Sequence, residues 1–238
     1  MNALEGLGLS LDQGAVYCLS KSAVPFGKER ELMRDSNFPL LTLRAGHDFA
    51  LPWRALFRRG VGIRLRLGCS VRQSVCSGLG VDPEYVEQRI RSIFLDGSPL
   101  DDIDTPKLAA GQTLSLGGGM PGLVGITLNR ASPFCHFRGE IGWKGDKSCA
   151  PEGSEGEITL KLFNMVAEDL VPVLLSRGAI VESVDAAALL HECALEKPGL
   201  VRLVHHAELD GREIAPADLP ATLESLPGRV MVRVAWEK

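Results

Sequence analysis

Seven arginines (Arg44, Arg54, Arg58, Arg59, Arg64, Arg66 and Arg72) fall between residues 44 and 72, against one acid, Asp48. A guanidinium is a planar fork that grips a carboxylate or phosphate through two parallel hydrogen bonds. Arg54, Arg58, Arg64 and Arg66 are therefore candidate anion-binding residues. The plain alternative is a solvated face balanced by Asp82, Glu84, Glu87, Asp96, Asp101, Asp102 and Asp104 further along the chain. Nucleic acid is not an expected partner. No aromatic array interleaves the arginines, and a net charge of -4 gives no general pull toward polyanions.

The run Gly117, Gly118, Gly119, Met120, Pro121 and Gly122 is the second candidate. Backbone amides in such a loop can approach an anion or a partner surface closely; the alternative is a permissive turn. Cys135, His136 and Cys149 form the best metal-like grouping. A site needs three or four convergent ligands, and no paired Cys-x-x-Cys spacing supplies them, so no metal and no cofactor is expected.

Catalytic arrangements are missing from the pattern. There is no Gly-x-Ser-x-Gly nucleophile turn. The segment Gly139 to Ser148 departs from a phosphate loop in glycine spacing, and Asp146 separates Gly145 from Lys147. His205 and His206 alternate along a strand, so one is expected in the core and one in solvent. No carboxylate pair and no nucleophile with its base can be placed together. The balance favours a binding or accessory protein acting on another protein. The rival is an accessory factor in cofactor chemistry, or an enzyme that binds an anionic small molecule at the arginines.

These residues must be positioned by an α+β chain. Residues 40–45 read as a strand. LPWRALFRR reads as a helix with Pro52 near its start and Gly60 past its end. Val61, Ile63, Leu65 and Leu67 share one face of a strand, and Arg64 and Arg66 share the other. Ser70 to Gln73 has the form of a capping box, followed by the stripe Val71, Val75, Leu79. Asp82-Pro83 starts another helix, and a strand then ends at Asp96-Gly97, a turn able to take positive φ. TLSL and GLVGITL read as a hairpin around Gly117–Gly122. Farther on, EITLKLF is a strand. A helix from Val166 to Gly178 contains Pro172, expected to kink it or mark its start. A second helix covers 184–195, strand 200–209 ends in Leu209-Asp210-Gly211, and a final strand carries Val230, Val232, Val234 and Trp236.

Strand, helices, strand ending Leu-Asp-Gly, loop, strand: this order occurs twice. Leu95 to Leu114 is 19 positions and Leu209 to Val230 is 21. The spacing predicts an internal duplication, with two tandem units that each build a small mixed sheet against helices. The expected boundaries are a poorly patterned extension over 1–35, a first unit over 36–130, a linker over 131–156 and a second unit over 157–238. Five Gly, three Ser and two Pro in residues 129–156 mark the linker. Phe134, Phe137 and Trp143 give it the means to dock onto a neighbour.

The stretch SVRQSVCSGLG through RSIFLDGSPLDDIDTPKLAAGQTLSLGGGMPG resembles the later part of a β-grasp, ubiquitin-like domain. It is most similar to the small sulfur carriers of molybdopterin and thiamine synthesis. The resemblance covers residues 61–122 and implies a β-grasp-like fold. In that family the Gly-Gly is the chain terminus; here Gly117–Gly119 runs on into GLVGITL, and an internal glycine has no free carboxylate to activate.

With 238 residues, 45% hydrophobic and 24% charged, the composition is that of a globular protein. No run of about 20 apolar residues exists, so no membrane partner is expected. Six scattered cysteines and no secretory signal point to a reducing cytoplasm. The sequence leaves the oligomeric state open.

Overall fold

The structure, a computed structural model, describes residues 38–130, 132–138, 141–145, 153–196, 199 and 202–237. The extension over 1–35 lies outside the described residues. The described residues form ten strands: β1 (Leu40–Gly46), β2 (Val61–Arg66), β3 (Ser92–Leu95), β4 (Ser98–Pro99), β5 (Thr113–Gly117), β6 (Glu155–Phe163), β7 (Ala179–Glu182), β8 (Val204–Leu209), β9 (Arg212–Ile214) and β10 (Arg229–Glu237). Among the described residues there are seven α-helices: α1 (Ala50–Arg59), α2 (Val71–Gln73), α3 (Pro83–Gln88), α4 (Gly122–Leu128), α5 (Asn164–Arg177), α6 (Ser183–Glu196) and α7 (Leu219–Ser225).

The strands form one mixed sheet in the order β4-β3-β5-β6-β2-β7-β10-β1-β8-β9. Two separate small sheets were the expectation; the molecule has one continuous sheet. The chain crosses between its ends twice. β1 sits between β10 and β8, while β6 sits between β5 and β2. Of the parallel pairs, β1 with β10 brings together strands from opposite ends of the chain, and β5 with β6 joins its first half to its second. The middle of the sheet is held by a single backbone pairing, Gly62 with Ile180. A Cβ on Gly62 would lie 3.1 Å from Ile180 Cβ and 2.6 Å from Glu157 Oε1, so glycine permits the close approach.

One face of the sheet is apolar. Leu41 and Leu43 of β1, Val61 and Ile63 of β2, Leu160 and Leu162 of β6 and Val230, Val232 and Val234 of β10 are buried beneath helices. α1 and α5 pack on each other across β6 and β10, and Phe49, Trp53 and Phe57 fill the space between. The buried residues form one cluster that spans both ends of the sheet.

Local signals explain most elements. Ser70 Oγ accepts from the Gln73 N–H at 3.2 Å and Gln73 Oε1 accepts from the Ser70 N–H at 3.1 Å, so both arms of the capping box are present. Val71, Val75 and Leu79 are buried as their spacing requires, although the helix passes into a π-helical turn over Ser74–Gly78. Asp82 caps α3 through the Glu84 N–H at 2.7 Å. α5 begins at Asn164 and runs through Pro172, so of the two expectations the proline does not mark its start. The Pro172 carbonyl is satisfied by Ser176 Oγ at 3.0 Å and by Trp236 Nε1 at 2.9 Å.

The two Leu-Asp-Gly turns have the same build. Asp96 and Asp210 take φ of 50° and 51°, and Gly97 and Gly211 take 82° and 79°, the left-handed pair that two-residue hairpins need. Each aspartate then binds the start of the adjacent strand. Asp96 Oδ1 accepts from the Thr113 N–H at 2.7 Å, and Asp210 Oδ1 accepts from the Leu40 N–H at 2.8 Å.

One element has the wrong type in the sequence reading. GLVGITL forms helix α4, not a hairpin strand. A short apolar run carries no period of its own that separates strand from helix. Pro121 at its N-cap and the closeness of Gly125 to the Met120 carbonyl settle it: a Cβ on Gly125 would collide with that oxygen.

Candidate docking face

The four candidate arginines do not converge. Arg54 lies on α1 in the helix layer and pairs with Glu168 of α5 at 3.1 Å. Arg58 is exposed on the same helix. Arg64 and Arg66 point from β2 to the opposite face, where they stand in register with Glu157 and Glu155 of β6. Arg64 also lies 5.8 Å from the Phe38 ring, which is shared with Arg229 at 4.5 Å. The sheet thus divides the cluster, and carboxylates neighbour both parts. Arg72 is balanced by the acids that follow it, with Asp104 at 2.6 Å and Glu87 at 2.5 Å. These contacts hold the Glu87 carboxyl below its ordinary value, chiefly through the Arg72 hydrogen bond.

A cleft of about 180 Å³ opens where β2 meets β7. Its charged lining is Arg59, Glu157, Glu182, Asp185 and Arg229. Arg59 is paired with Asp185 at 3.3 Å and Arg229 with Glu157, so both of its arginines are already matched by carboxylates.

Cys135 and His136 lie in a 3-10 turn, Cys135–Arg138. Cys149 lies outside the described residues, so the proposed trio is not assembled here. No group of three or more His, Cys, Asp or Glu able to hold a metal occurs among the described residues. His205 and His206 are both away from the core, correcting the expectation that one faces inward. His205 meets Glu237 at 2.6 Å and His206 meets Glu208 at 2.7 Å. The register shift between Arg44 and Ala45 breaks the simple alternation on which that expectation rested.

The glycine run is held at its base and open at its tip. Gly117 ends β5, and its carbonyl accepts from the Arg91 N–H at 3.0 Å. The Gly118 carbonyl accepts from Ser92 Oγ at 3.1 Å. Asn129 clamps Met120, accepting from its N–H at 3.0 Å and donating to its carbonyl at 3.3 Å. Gly119, Pro121 and Gly122 are exposed. The chain then enters α4, which packs against the 3-10 turn Cys135–Arg138.

These two elements and the residues flanking the turn carry several exposed apolar side chains. Leu123 is 77% exposed and Phe137 71%; Ile126, Phe134 and Ile141 are exposed as well. Phe134 and Phe137 stack on each other, centroids 6.2 Å apart. The segment between the expected units is nevertheless anchored. Arg138 is only 4% exposed, donates to the Leu128 carbonyl at 2.7 Å and is ion-paired with Asp101. Its own carbonyl accepts from the N–H groups of Ile141 and Gly142. The Trp143 N–H donates to the Pro99 carbonyl at 3.2 Å and the indole packs on the core. Of the three aromatics expected to dock onto a neighbour, Trp143 does so within the chain, while Phe134 and Phe137 face outward.

Sequence reading missed Leu123 and Ile126 as exposed apolar residues of this face. Assigning GLVGITL to a strand placed its apolar side chains in a sheet. The signal that could have found them is the tight succession of apolar residues and glycines directly after Pro121.

No known protein family, curated protein or solved structure matches this chain. No helix of the described residues is long and apolar enough to cross a membrane.

Proposed function

We propose that this chain is a non-catalytic binding protein that docks a protein partner on the face formed by the glycine run, α4 and the 3-10 turn after it. One observation carries the reading: Leu123, Ile126, Phe134, Phe137 and Ile141 are exposed together on elements fixed to the body by buried Arg138. Contiguous apolar surface costs free energy in water and marks interaction sites. A pre-ordered face also loses little conformational entropy when a partner binds.

The two Leu-Asp-Gly turns support a further reading, that the chain descends from a duplicated β-grasp-like unit. Strand, helix, strand, a helical segment and then three strands occur in both halves, from β1 to β5 and from β6 to β10, with two helices in that segment in the first half and α7 inserted before β10 in the second. A β-grasp domain pairs the strand before its helix with a hairpin partner; here β6 supplies that antiparallel partner to β2 from far along the chain. Cys69, Cys76 and Cys193 are free thiols, which fits a reducing cytoplasm.

Photo-crosslinking residues placed at 123 and 137 test the docking reading, with position 221 on α7 as the control. The reading expects one protein adduct of the same mass from both sites and none from 221. No adduct, or equal adducts from all three positions, would overturn it.

A further inference from the structure

The charges beside this face point to the chemistry of what covers it. Arg91 runs alongside the glycine run: a Cβ on Gly119 would lie 3.8 Å from Arg91 Cγ. Arg89 stands two residues earlier, and both side chains are exposed. Neither makes an ion pair among the described residues. Arg130 joins this side of the face, its N–H donating to the Arg91 carbonyl at 2.5 Å. Two carboxylates on this side are already engaged. Glu87 lies between Arg72 and Arg130, and Asp101 is paired with Arg138. Burial pushes the Arg130 guanidinium downward, Glu87 opposes that shift, and the neighbouring Arg72 and Arg91 add to it. Among the described residues, Arg89 and Arg91 thus stand beside the apolar face without a paired carboxylate, although the chain as a whole is acidic.

Resting on the docking reading above, we infer that the partner presents an acidic amphipathic segment. Its apolar side chains cover Leu123, Ile126 and Phe137, and its carboxylates meet Arg89 and Arg91. Apolar burial supplies the affinity in this arrangement. The arginines set orientation and reject basic segments, because like charges brought together at an interface are costly. A guanidinium suits this role because it binds a carboxylate at two points.

The test uses the full chain and a fluorescein-labelled amphipathic helical peptide, with Leu and Phe on one face and Glu on the other. A matched peptide carrying Lys in place of Glu and vesicles of phosphatidylglycerol are the comparisons. The acidic peptide is expected to bind and the basic one to bind at least about tenfold more weakly. Arg89→Glu with Arg91→Glu should weaken the acidic peptide by about tenfold or more and favour the basic one. Raising salt from about 0.05 to about 0.5 M should reduce the difference between the peptides. Both arginines are exposed, and circular dichroism of the variant checks that it keeps its fold. Equal binding of both peptides, or acidic binding untouched by the double reversal, would overturn the inference. Vesicle binding lost in the same variant, with no peptide binding, would also overturn it and assign the face to a membrane surface. Protein adducts at 123 and 137 without acidic-peptide binding would sink this inference alone; absence of those adducts would sink the docking reading itself.

Discussion

Arg138 and Asp101 form an ion pair in which the guanidinium is almost wholly buried while the carboxylate remains half in water. The pair joins the 3-10 turn to the loop after β4, and so fixes the outward-facing Phe134 and Phe137 to the body of the fold. Removing Asp101 leaves a buried charge without its counterion. Breaking a buried pair from one side costs about 3–5 kcal/mol; the half-exposed carboxylate puts Asp101→Ala at the lower end, about 3 kcal/mol. Urea unfolding should show this loss. The double variant Asp101→Ala with Arg138→Met should recover much of it, since no unpaired charge remains.

Gly125 poses two opposing effects. Alanine in a helix interior is favoured over glycine by about 1 kcal/mol. Here, however, a Cβ would collide with the Met120 backbone carbonyl, which Asn129 clamps in place. Overpacking against fixed backbone costs about 1–3 kcal/mol, so Gly125→Ala should be net destabilising. Thermal unfolding reads the sign directly, and a stabilised variant would contradict the packing of α4 on the glycine run.

Glu87 links stability to pH. Its folded value is depressed, mainly by the Arg72 hydrogen bond, below an unfolded value of about 4.3. The stability it contributes is therefore fully present above that unfolded value and is lost as pH falls through the folded one. Asp102 behaves alike, held down first by the Thr105 side chain and then by the Asp104 N–H. Glu87→Gln should cost about 0.5–1 kcal/mol at pH near 7, as suits a half-exposed pair, and should cost little at pH near 3. Chemical denaturation at both pH values checks the slope.

The crossed strands predict mutual dependence of the two ends of the chain. Residues 38–130 alone would lack β6, the neighbour of both β2 and β5, and would leave β1 without β10 and β8. Residues 155–238 alone would lack β1 from between β10 and β8. Neither piece should unfold cooperatively by itself, whereas mixing the two should restore a transition. A sharp transition in either isolated piece would contradict this interdependence.

The sequence made local structure legible wherever short-range chemistry dominates. The capping box at Ser70, the cap at Asp82 and the two Leu-Asp-Gly turns depend on neighbouring residues alone, and each formed as read. Sheet continuity was not legible. The register that seats β6 beside β2 and β1 beside β10 is chosen by long-range burial, which alternating apolar residues permit but do not dictate. A missed cue lay in the first strands. Leu41-Thr42-Leu43-Arg44 parallels Ile158-Thr159-Leu160-Lys161, and Arg59-Gly60 parallels Arg177-Gly178. With β1 matched to β6, Leu41 lies 54 positions before Leu95 and Ile158 lies 51 before Leu209, so the first strands keep nearly equal spacing to the two turns. The arginine cluster misled because its members are neighbours along the chain but lie on opposite faces of one sheet.

The docking claim is tested most directly by the affinity of the crosslinked partner for the native chain and for Leu123→Asp with Phe137→Asp. Central anchors of an interface are worth about 2 kcal/mol or more each. Placing two carboxylates there should weaken binding by about a hundredfold or more, with the unfolding midpoint essentially unchanged because both side chains are exposed. Undiminished affinity in that variant would contradict the account.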